Sequence, residues 1–167
     1  MSSIELLRSI PMFTGLADAD LKALSDALTR HVFKAGAMIF RQGDAGDTMY
    51  IVESGDVNIH LAGHLSQRIS LKDISRGEYF GELALFDQKP RSASALATTD
   101  TLLLALKHDT LATYLQNRPL AAMGILRTMS ERLRETNEML SARAAKNVDA
   151  EFDRQLSWSD RLADKVA

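Results

Sequence analysis

Apolar residues in 3–30 recur at helical spacing: Ile4 and Leu7, then Leu16, Leu21, Leu24 and Leu28. Pro11 and Gly15 punctuate the two pieces, and Asp18 is a fitting N-cap for a helix over 19–29. From His31 the period shortens to that of strands. Val32-Phe33 leads to a turn at Ala35-Gly36, and Met38–Phe40 is a short apolar run. Gly43-Asp44-Ala45-Gly46-Asp47 is turn chemistry, Met49–Val52 the next strand and Ser54-Gly55-Asp56 the next turn. Val57, Ile59 and Leu61 alternate; after Gly63-His64 come Ile69, Leu71 and Ile74. Ala93, Ala95 and Ala97 alternate in turn, as do Leu102, Leu104 and Leu106. Short strands at this spacing predict a sandwich or roll and not a parallel sheet. Helical signals return at Asp109, read as an N-cap, and run to about Gln116. Pro119 then opens one long helix reaching about Ala145. Ala122, Leu126, Met129, Leu133, Thr136 and Leu140 step by fours and threes along it, a heptad seam with one polar member. Such a seam packs on the body of a domain, and its length and charged flanks also favour a partner helix. Residues 146–167 are polar, then weakly amphipathic through Phe152, Leu156, Leu162 and Val166. The expected organisation is one domain over 1–145 and a tail or linker over 146–167.

Composition narrows the function classes. The chain of 167 residues carries a net charge of −2, which argues against a nucleic-acid surface. It has no cysteine, hence neither a disulfide framework nor a thiol nucleophile. Glu5 and Arg8 interrupt the first apolar stretch, so no signal peptide is visible, and Leu102–Leu106 is far short of a membrane span. A cytoplasmic location is expected. Metal binding by His31, His60, His64 and His108 finds no support: Gly63 breaks any helical face between His60 and His64, and no HExxH occurs. Ser92 and Ser94 have no activating base placed by sequence, and neither a Walker loop nor GxGxxG is present. No enzyme activity is expected.

The chemistry concentrates in Tyr79–Ala97, YFGELALFDQKPRSASALA. Gly81 lets a backbone approach a ligand closely, and a short helix opening there would aim N–H groups at an anion. Arg91 would hold phosphate oxygens through a two-pronged contact. Glu82 cannot serve a phosphate, being of like charge; a sugar hydroxyl suits it better. One anion, one hydroxyl and small neighbours describe a nucleotide with a single phosphate. The competing reading is a surface Glu82–Arg91 ion pair of little consequence.

FGELAL…PRSASA resembles the phosphate-binding cassette of cyclic nucleotide-binding domains, and IFRQGDAGDTMYIVESGDV (Ile39 to Val57) resembles the same family's opening signature. The likeness covers roughly residues 10 to 140. It implies an α+β fold: an eight-stranded antiparallel β-roll, jelly-roll-like, with N-terminal helices and a long C-terminal helix. It also implies that Arg91 holds the cyclic phosphate together with main-chain donors at Leu83, Ala84 and Ala93. Glu82 takes the ribose 2′-hydroxyl, Gly81 allows the close approach, Ser92 adds a hydroxyl, and Leu71 and Ile74 wall the base. Met129 to Leu140 resembles the dimer helix of bacterial cyclic AMP receptors, which places Arg132, Thr136 and Asn137 as a lid on the base. A parallel homodimer through that helix, and cyclic AMP as ligand in preference to cyclic GMP, are the expectations. No cofactor is implied.

Fewer residues follow Ala145 than a winged DNA-binding domain needs, so nucleic acid is not an expected partner. The tail loosely resembles the lead-in to a small membrane domain in some bacterial proteins, which implies attachment at the cytoplasmic face in a longer natural chain. The alternative to a ligand sensor is a degenerate module kept as a structural or dimerisation unit; the intact Gly81, Glu82, Arg91 and Ser92 favour the sensor.

Overall fold

In a computed structural model the described residues are 2–62, 67–131, 133, 134, 137, 138, 140 and 141. They fall into two compact units, 1–128 and 129–167.

The first unit opens with α1 (Ser3–Ser9), started by a capping box: the Ser2 hydroxyl accepts from the Glu5 N–H, and the Glu5 carboxylate accepts from the Ser2 N–H. Pro11–Phe13 is a single 3-10 turn, and α2 spans Asp18–Asp26. Asp18 is not the N-cap expected of it. Ala17 holds that position without a side-chain bond, and Asp18, the first helical residue, pairs with Arg8 at 2.7 Å.

Eight strands follow: β1 (Thr29–Phe33), β2 (Met38–Phe40), β3 (Thr48–Ser54), β4 (Val57–Ala62), β5 (Arg68–Ile74), β6 (Tyr79–Phe80), β7 (Ser94–Ala97) and β8 (Thr101–Lys107). They form two four-stranded sheets of order β1-β8-β3-β6 and β2-β7-β4-β5, with every ladder antiparallel. The expected antiparallel roll is what the chain forms. α3 (Glu82–Asp87) sits between β6 and β7, and α4 (His108–Gln116) follows β8 directly. Here too the expected cap is displaced: Lys107, not Asp109, occupies the N-cap position of α4.

Two cores result. Val52, Val57, Ile74, Phe80, Ala95 and Leu103 come from both sheets and fill the space between them. Leu6, Leu7, Leu21, Leu24, Leu104, Leu106 and Leu111 join the outer face of the first sheet to the helices. Each fully buried leucine contributes about 2 kcal/mol. The second core explains a departure from simple alternation in β8. Leu103, Leu104, Ala105 and Leu106 are all buried, because β8 is central in its sheet and covered on both faces.

Residues 119–128 form a further helix, α5, starting at Pro119. Its body-facing residues are Ala121 and Ile125, one position before the seam members Ala122 and Leu126. Gly124 lets the backbone come close: a β-carbon on Gly15 would lie 3.6 Å from the Gly124 Cα. Leu120, Met123 and Leu126 are exposed on this helix. In the second unit the described residues are helical, with Leu133, Asn137 and Leu140 exposed. Arg132, Thr136 and the tail 146–167 lie outside the described residues.

Candidate anion site

Arg91 is where the two sequence motifs meet. Its N–H donates to the Asp44 carbonyl and its own carbonyl accepts from the Gly43 N–H, both at 2.8 Å. The turn that makes this clip possible is fixed locally, since the Asp44 carboxylate accepts from the Arg41 N–H at 2.8 Å. The side chain turns inward and is 7% exposed. Nη1 donates to the carbonyls of Thr48 at 2.8 Å and Gly81 at 3.3 Å. Nε is buried with no hydrogen-bond partner among the described residues. The guanidinium carbon lies 4.1 Å from the centroid of the Phe40 ring. Phe40 in turn belongs to an aromatic cluster with Tyr50 and Phe80, ring centroids 5.5 to 6.1 Å apart.

Among the described residues no carboxylate is paired with this arginine. The Glu82–Arg91 surface pair therefore does not form, and Arg91 is not at the surface. Burial pushes the Arg91 guanidinium below its ordinary value, while Tyr50, Asp47 and Asp44 act the other way by charge. An arginine stays protonated through shifts of this kind. The result is a buried cation with an unpartnered donor and, among the described residues, no paired carboxylate, which is a site for an anion.

Gly81 is the N-cap of α3 at φ 77, a left-handed conformation that glycine adopts without strain. A β-carbon there would stand 2.7 Å from Arg91 Nη1. Glu82 begins α3 and is half-buried; Leu83 is exposed and Ala84 buried in the same turn. Ser92 is exposed beside Arg91, and Ala93 is buried. The two residues expected to wall a base part company. Ile74 is 3% exposed within the inter-sheet core, whereas Leu71 is 55% exposed on the edge strand β5, where the register against β4 shifts. Asn137 is described only as an exposed helical residue of the second unit.

Four contributors to the site carry no individual signal in the sequence. Phe40 is one apolar residue in a strand, Gly46 one of two glycines in a turn, and Thr48 acts through its carbonyl. His108 is the fourth: its Nδ1 lies 2.6 Å from the Leu85 carbonyl in α3, and its backbone N–H donates to the Asp47 carbonyl at 2.7 Å. Of the other histidines, His60 is buried in β4 and His31 contacts Thr29. No group of three or more metal-binding side chains occurs among the described residues.

The same stretch of chain is similar to known proteins. A family model described as "Cyclic nucleotide-binding domain" matches residues 30–118, more than half of the chain. The chain is 36% identical over 147 residues to the cyclic AMP receptor protein of Thermus thermophilus, covering 84% of this chain and 67% of that one. It is 39% identical over 101 residues to the type II regulatory subunit of the cAMP-dependent protein kinase of Drosophila melanogaster, covering 60% of this chain and 26% of that one. The crystal structure of the N-terminal domain of a transcriptional regulator from Streptomyces coelicolor superposes with a TM-score of 0.75 at 36% identity, covering 80% of this chain and 95% of that one. The family model spans nearly the whole two-sheet roll and the residues around Arg91, and the chain belongs to the cyclic nucleotide-binding domain family.

Proposed function

We propose that the chain is a regulatory sensor whose ligand is cyclic AMP, bound with its phosphate on Arg91 and its ribose on Glu82, and that occupancy is relayed through the helices after β8. The observation that carries this reading is the buried Arg91 with Nε unpartnered and, among the described residues, no carboxylate paired with it. A monoanionic phosphodiester supplies one charge and acceptors for one fork. A structural unit without ligand would gain nothing from a desolvated cation that no carboxylate pairs with, which speaks against the degenerate alternative.

Main-chain N–H groups of Leu83, Ala84 and Ala93, and the Ser92 hydroxyl, complete the phosphate shell by family resemblance. Leu71 is the better supported of the two base-wall residues, since an exposed apolar side chain is free to meet a base. The preference for cyclic AMP over cyclic GMP rests on the sequence likeness at Arg132, Thr136 and Asn137. His108 supports the relay, because one residue at the start of α4 bonds both to α3 and to the loop before Thr48. Leu120 and Met123, exposed on α5, support a homodimer through the C-terminal helices. No chemical step is assigned to any residue, and no helix among the described residues is long and apolar enough to cross a membrane.

A melting experiment with cyclic AMP, cyclic GMP and 5′-AMP tests the reading, because a ligand that binds only the native state raises the transition temperature. Cyclic AMP is expected to give the largest rise and 5′-AMP the least. An unchanged transition with all three at millimolar concentration defeats it.

A further inference from the structure

We infer that Phe40 is a positioning residue for the anion site: its ring face, in place of a carboxylate, holds the Arg91 guanidinium in the orientation that leaves Nε open. The assignment goes deeper into the site already proposed and rests on Arg91 being the phosphate ligand.

The reason lies in what would otherwise hold such an arginine. A buried guanidinium is ordinarily fixed by a carboxylate, but a carboxylate would satisfy the N–H donors the ligand needs and cancel the charge that attracts it. Two carbonyls, of Thr48 and Gly81, take Nη1 only. They anchor one corner of a planar group that could still swing about it. The Phe40 ring, 4.1 Å from the guanidinium carbon, attracts the cation through its π face and occupies no N–H. The more distant Tyr50 ring, at 5.9 Å, adds little directly. Its role is to back Phe40, with which it stacks at 6.1 Å and an interplanar angle of 29°.

Local structure aims the ring. In the β2–β7 ladder Met38 faces Leu96 but Phe40 faces Ala95, so the register slips within three residues. A bulge of this kind re-aims a side chain at a strand edge. β2 is the edge strand of its sheet, and its cross-strand neighbour Ala95 is small, which leaves room for the ring to reach Arg91. The sheet containing β2 thus contributes the ring, and the sheet containing β3 contributes the Thr48 carbonyl.

The test uses the full chain with Phe40→Tyr and Phe40→Leu, and two readouts. The first is the Arg91 Nε–H resonance in the nucleotide-free protein. Ring current from Phe40 is expected to shift it, and burial to slow its exchange, in the wild type and in Phe40→Tyr; Phe40→Leu is expected to lose the shift. The second is calorimetric titration with cyclic AMP, where Phe40→Tyr is expected to bind within about twofold of wild type and Phe40→Leu about tenfold more weakly, as for a desolvated cation–π contact. Phe40→Leu binding within about twofold of wild type overturns the assignment, as does an unshifted Nε–H in the wild type. A shifted Nε–H in a wild type that binds no cyclic nucleotide overturns the ligand reading instead, while supporting the hold of Phe40 on Arg91.

Discussion

Arg91 donates from Nη1 to the carbonyl of Thr48 at 2.8 Å, across 43 residues of sequence. Thr48 opens β3, and Arg91 follows α3, so this bond fastens the cassette to the first sheet. The backbone of Arg91 is meanwhile clipped to Gly43 and Asp44 before β3. With the Gly81 carbonyl, which also accepts from Nη1, side chain and main chain are held at four points and cannot relax toward solvent. The charge is therefore presented at a fixed place, and the cost of desolvating it is met by folding before any ligand arrives.

Arg91→Ala is expected to retain the fold and to weaken cyclic AMP by roughly 2–5 kcal/mol, the loss typical when a buried charge loses its partner. Arg91→Lys should restore only part of this, because an ammonium cannot reproduce the planar fork. Titration calorimetry measures both. Wild-type affinity in Arg91→Ala would show that the phosphate sits elsewhere.

Two glycines separate binding from stability. Gly46 has no left-handed φ, yet a β-carbon there would overlap Arg91 Nε. Gly46→Ala should displace the guanidinium and cost affinity, with a smaller effect on the unfolding midpoint. Gly55 has φ 86, and a β-carbon there would meet the Asp100 carbonyl oxygen, remote from the site. Gly55→Ala should lower stability by more than about 1–3 kcal/mol, the usual cost of a left-handed non-glycine residue alone, and leave the affinity of the folded fraction unchanged. Urea unfolding and calorimetry on the same pair decide it; an exchange of the two phenotypes would refute the geometry.

Much of this is legible in the sequence. Alternation at Val57, Ile59 and Leu61 and the glycine turns locate the strands, because a half-buried antiparallel strand writes its two faces into the residue order. Alternation fails at β8, where Leu103 and Ala105 are buried as fully as Leu104 and Leu106, since both faces of this central strand are covered. Asp18 and Asp109 mislead for another reason. An aspartate just inside a helix and one just outside are both favoured by the dipole, so charge places these helix starts within two residues and no closer. At the site, Gly81 and Arg91 stand out as residue types with few alternatives. Phe40 and Thr48 do not, because one acts through a ring face shared by every buried phenylalanine and the other through a carbonyl shared by every residue.

The last expectation concerns Tyr114 on α4, far from the anion site in its chemistry. Its side chain helps line a groove of about 360 Å³ with Ala23 of α2 and Ala27, the C-cap of that helix. Burial pushes the Tyr114 phenol up to about 12, and the Asp20 carboxylate adds to the rise, while Arg118 opposes it. Asp20 is itself tied to Arg118 at 3.3 Å, joining α2 to the end of α4. Because the folded-state value is raised, the folded chain holds this proton longer than the unfolded chain does. Below about pH 10 both states are protonated and the contribution of Tyr114 is fully present. Between about pH 10 and 12 the unfolded state loses the proton first, so stability falls as pH rises. Tyr114→Phe removes that titration and should flatten this part of the alkaline decline, and Asp20→Asn should lower the Tyr114 value toward 10 in an ultraviolet titration of the phenols. Urea midpoints of wild type and Tyr114→Phe that decline in parallel with pH above about 10 would show that Tyr114 is not enclosed as described.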